Sequence, residues 1–85
     1  MSARAKSRAV TRRTVMWEVR AADGRTDELL AWVAAHAPAQ AQLYRSADRV
    51  VVIDPTATAA TALADLPDGL AARAPHAWPF ETVQR

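Results

Sequence analysis

The chain has 85 residues, 51% hydrophobic and 24% charged, with no Cys, two His and three Trp. That length limits it to one domain, and its hydrophobic share argues against a wholly disordered chain; without Cys it has no disulfide and no thiolate metal site. Twenty-one residues are Ala, which leaves about 22 larger hydrophobic residues and hence a thin core that a subunit interface would extend.

The net charge of +2 divides unevenly along the chain. Residues 1–13 hold Arg4, Lys6, Arg8, Arg12 and Arg13 and no acid, whereas the rest carries six basic and nine acidic groups. The tail has only Met1 and Val10 as large apolar residues, so residues 1–13 are expected to be a disordered basic extension to a single domain over 14–85. Weak, salt-dependent binding of nucleic acid through this tail is one functional reading. A solvated extension, or translation beginning at Met16, is the plainer one. Arg12-Arg13 lacks the apolar run that a twin-arginine export signal requires. No stretch approaches the ~18 consecutive apolar residues of a membrane span, so the expectation is a cytoplasmic protein with no membrane partner.

From Thr14 to Ala21, the residues Val15, Trp17, Val19 and Ala21 alternate with Met16, Glu18 and Arg20, the pattern of a half-buried strand. Asp23-Gly24 breaks it. A helix should follow with Thr26 as N-cap, Asp27 and Glu28 in the first turn where the helix dipole favours anions, and Leu29, Leu30, Val33 and Ala37 on its apolar face. Pro38 stops it. Trp32 and His36 lie four residues apart on its flank. Ala41 to Ser46 reads as a weaker strand, Ala47-Asp48 as a turn, and Arg49 to Asp54 as a strand whose Val50-Val51-Val52-Ile53 run asks for cover on both faces. Asp54 is either a strand-end base of raised pKa or a cap for the turn through Pro55. A second helix from Thr58 runs through Ala60, Leu63, Ala64 and Leu66, and Leu70 to Arg73 adds one more helical turn after Pro67-Asp68-Gly69. His76 to Val83 is an edge strand, since it contains Pro79, and Trp78, Phe80 and Thr82 share a face.

The order strand, helix, strand, strand, helix, strand is the split βαβ, ferredoxin-like arrangement of the α+β class (βαββαβ): a four-stranded antiparallel sheet with two helices on one face. The uncovered second face then calls for a homodimer, made by stacking two sheets.

The segment Met16-Trp17-Glu18-Val19-Arg20-Ala21, with Gly24-Arg25 and Asp27-Glu28-Leu29-Leu30-Ala31-Trp32-Val33, resembles the opening of the antibiotic biosynthesis monooxygenase-like proteins. Pro75 to Glu81 is also similar to the tail of short, Ala-rich actinobacterial proteins, a likeness that implies no activity. The first resemblance covers residues 16–37 and implies a dimeric α+β barrel enclosing a pocket for a small aromatic or polyketide-like molecule. Family members that oxidise quinols without a cofactor, or cleave haem, typically use an Asn with a Trp, and often a His. This sequence has no Asn, so no catalytic residue is carried over.

His36 and His76 are the candidate acid–base groups, and Trp32, His36, Tyr44, His76 and Trp78 the candidate ligand-binding set. Against this stands a packing role for Trp17, Trp78 and Phe80 as core or dimer anchors, with both His solvated. Two His 40 positions apart form no metal motif, and no cofactor is expected. A Val-Val-Val-Ile strand cannot stack bases, so the sheet is not expected to bind nucleic acid. The leading expectation is a homodimeric, non-catalytic ligand-binding or accessory protein that takes a small hydrophobic ligand. The enzymatic alternative is a cofactor-independent monooxygenase or isomerase.

Overall fold

A computed structural model describes residues 13–85 of the chain. The proposed tail therefore lies outside the described residues, except that Arg13 already belongs to the first strand, opposite Glu81. The elements are β1 (Arg13–Arg20), α1 (Thr26–His36), β2 (Gln42–Arg45), β3 (Arg49–Asp54), α2 (Ala59–Ala62) and β4 (His76–Glu81). The four strands form one open antiparallel sheet in the order β2-β3-β1-β4. This is an α+β protein.

The alternation in β1 decides which face is covered. Trp17, Val19 and Ala21 are buried, and the register joins Leu43, Val52, Trp17 and Ala77 in one row across all four strands. Leu29 and Val33 of α1, Ala59 of α2, and Leu63 and Leu70 close over Val19, Val50 and Val52 to form a single core. The chain enters α1 through a tight turn in which Gly24 takes φ +73°, a conformation that costs a residue with a side chain. Thr26 is the first helical residue, not the N-cap: its hydroxyl donates to the Ala47 carbonyl at 2.9 Å, tying the helix start to the β2–β3 turn. Arg25 instead pairs with Glu28, and Arg45 of β2 reaches Asp27 at 2.8 Å. At the other end Ala37 turns extended before Pro38, as the sequence requires.

The second helix is shorter than its apolar spacing suggests. It spans four residues, after which the hydrogen bonds shift to the tighter three-residue pattern at Ala64 and Leu66. Leu63 reaches the core from the end of this helix, its amide donating to the Ala59 carbonyl at 2.8 Å, and Pro67, which offers no N–H, follows the tighter turns. Leu70 to Arg73 forms no helical turn. Ala71 bridges to Ala21, while the Ala22 amide donates to the Leu70 carbonyl and the Ala72 amide to the Arg20 carbonyl, extending the β1 edge beyond β4. The chain loops out between this bridge and the His76–Glu18 pair, carrying Arg73, Ala74 and Pro75.

Candidate functional site

Two Trp–His pairs exist, and the sheet separates them. On α1 the Trp32 and His36 rings stack with centroids 4.1 Å apart and planes 17° apart. His36 Nδ1–H donates to the Trp32 carbonyl at 2.8 Å, which leaves Nε2 as the imidazole's acceptor. On β4 the His76 and Trp78 rings stack at 5.6 Å and 24°. Trp78 is registered with Met16, on the face opposite Trp17, so this pair lies behind the sheet as seen from α1. Tyr44 shares that rear face and the row Tyr44–Val51–Glu18–His76, but at its far end. Three strand spacings put it about 14 Å from His76. The five residues of the candidate set thus form two pairs and an outlying tyrosine, not one pocket.

The rear face has a character of its own. Phe80, Trp78, Met16, Ile53, Val51 and Tyr44 run diagonally across all four strands. Trp78 is 41% exposed and Phe80 and Tyr44 are each 53% exposed, while the side chains between them are half-buried. Beside this diagonal lie Glu18 and Arg49, which pair with each other, and Arg20 with Asp48 at 3.7 Å. Two acids and two bases leave that corner without net charge apart from His76.

Asp54 is the one buried charged residue among those described. Its Oδ1 accepts from the Thr56 amide at 2.8 Å and the Thr56 hydroxyl at 2.6 Å, and its Oδ2 from the Thr58 amide at 2.8 Å. Burial alone pushes this carboxyl up. The Thr56 hydroxyl and the amides of Thr56, Thr58 and Ala59 outweigh that and hold it below its ordinary value. Asp54 is therefore a cap for the turn into α2, not a base of raised pKa.

On the front face, a half-open cleft of about 540 Å³ lies over β1 and β4, bounded by Ala60 of α2 and the segment from Leu63 to Pro75. The buried Trp17 and Leu63 underlie its floor, Leu66, Pro67 and Pro75 give it apolar sides, Ala77 keeps the β4 side low, and the exposed Asp68 and Arg73 lie at its rim. The sequence gives these rim residues no role. They sit in a stretch of Ala, Gly and Pro without periodicity, and only the path of the backbone brings them together. Among the described residues no group of three or more His, Asp or Glu is placed to hold a metal ion, and no helix is long and apolar enough to cross a membrane. Comparison with known proteins finds no matching family model, curated protein or solved structure.

Proposed function

We propose that the chain is a ferredoxin-like subunit of a homodimer, stacked through its rear sheet face, that serves as a non-catalytic ligand-binding or accessory protein. The observation that carries this reading is the aromatic and aliphatic diagonal from Phe80 to Tyr44, on a face that no helix among the described residues covers. A second copy is the natural occupant, because an isologous contact sets each such diagonal against its own image. The balanced Glu18, Arg20, Asp48 and Arg49 corner adds no net repulsion between the copies. The strand order β2-β3-β1-β4 supports the ferredoxin-like part of this reading.

Catalysis by a cofactor-independent monooxygenase or isomerase stands second. The imidazole of His76 would need a carboxylate to orient it, and Glu18, its row neighbour, is engaged by Arg49. Light scattering at micromolar concentration tests the main reading. A mass near twice 9.2 kDa is expected, and a mass of one chain overturns the dimer.

A further inference from the structure

The cleft over β1 and β4 is unlike the rear face in both its shape and its charges. Its volume of about 540 Å³ lies within the range of small-molecule sites. Its floor reaches the buried Trp17 and Leu63, and the apolar surface it offers is Leu66 with Pro67, Pro75 and small Ala side chains. No bulky side chain fills it from β4, because the residue registered with Trp17 is Ala77. Its rim carries one carboxylate, Asp68, and one guanidinium, Arg73. The ion pairs among the described residues engage Arg20, Arg25, Arg45 and Arg49, and neither Asp68 nor Arg73 is part of them. Gly69, between the two, is tethered from behind by Arg25 Nη1, which donates to its carbonyl at 3.5 Å.

The geometry points to a binding site for a small zwitterion with an apolar body, that is, an α-amino acid with a hydrophobic side chain. A plain carboxylate would meet Arg73 but be repelled by Asp68, and a plain amine would meet the reverse. A molecule bearing both charges on one carbon satisfies both rim groups and leaves its side chain for the surface of Leu66, Pro67 and Pro75. This inference deepens the ligand-binding part of the proposed function and is independent of the dimer, which forms on the opposite face.

Amide chemical-shift titration of the full chain with L-phenylalanine, 3-phenylpropionate and phenethylamine tests it, with mass measured on the same samples. L-Phenylalanine should shift Gly69, Ala71, Ala74 and Ala77 and bind about fivefold more tightly than either half-molecule. Arg73→Gln should weaken L-phenylalanine by about fivefold and leave phenethylamine unchanged, and Asp68→Asn should spare 3-phenylpropionate. Both residues are exposed, so the variants should remain folded. Equal affinity for all three probes overturns the zwitterion. Shifts confined to Trp78 and Phe80, or no shift at millimolar probe, overturn the site, whatever mass is found.

Discussion

Replacing Asp54 by Ala removes a buried carboxylate together with the three hydrogen bonds that hold the turn from β3 into α2. Bonds to an ionised group contribute about 1.5–3 kcal/mol each where the partner cannot find water. Here Thr56 and Thr58 are exposed, so their freed amides rehydrate and the net loss falls to that of a strong cap, about 2 kcal/mol. In a domain of this size that lowers Tm by roughly 8–16 °C. The pH dependence supplies a second check. The folded carboxyl lies below its ordinary value of 3.8, so its ionised form contributes stability above that value and loses it as pH falls through the folded pKa. The gap between wild type and Asp54→Ala should therefore be widest at neutral pH and narrow in acid. Thermal melts followed by far-UV circular dichroism at pH 7 and pH 3 measure both quantities. A loss under about 0.5 kcal/mol at pH 7, the range of an ordinary surface substitution, refutes the capping role. A gap that stays constant into acid refutes the depressed pKa.

Trp17→Ala should cost about 3–5 kcal/mol in urea unfolding, because the indole is 2% exposed at the centre of the row Leu43–Val52–Trp17–Ala77. Ala57→Gly should stabilise by about 0.5–1 kcal/mol in the same assay, since Ala57 sits at φ +60°, where its Cβ is penalised. Trp78→Glu places a charge in the exposed rear diagonal; light scattering should report one chain, with the circular dichroism of the folded domain retained. Deleting residues 1–12, which leaves β1 whole, should abolish any retention on a polyanion column. Unchanged retention removes the tail as a nucleic-acid contact.

The elements that were legible in the sequence are those fixed by a local constraint. Four β-branched residues define β3, whose bounds Arg49–Asp54 match the expected run, and Asp27, Glu28 and Pro38 frame α1. The second helix misleads because Leu63 and Leu66 are spaced equally well for tight turns as for an α-helix, and Ala favours the helix without enforcing it. Ala71 carries no signal at all for its bridge to Ala21. The two Trp–His pairs were each visible as spacings, i to i+4 on a helix and i to i+2 on a strand. Their separation was not, because it depends on the register that sets Trp78 beside Met16 and so opposite to Trp17. A shift of one residue in that register would have turned His76 and Trp78 toward the core.

The Ala-rich composition has different consequences on the two faces of the sheet. In front, small side chains and a four-residue helix leave a concavity over β1 and β4, a shape that a small molecule fills and a flat partner surface does not. Behind, six larger apolar side chains form a broad diagonal, which suits a second sheet. β1 separates the two, presenting Trp17 to the cleft and its neighbour Met16 to the diagonal. A ligand in front and a partner behind would therefore share no side chain. Occupancy of one site can affect the other only by moving the backbone of β1, which is hydrogen-bonded to strands on both sides. The central position of β1 opposes such movement, so the two binding events should be close to independent.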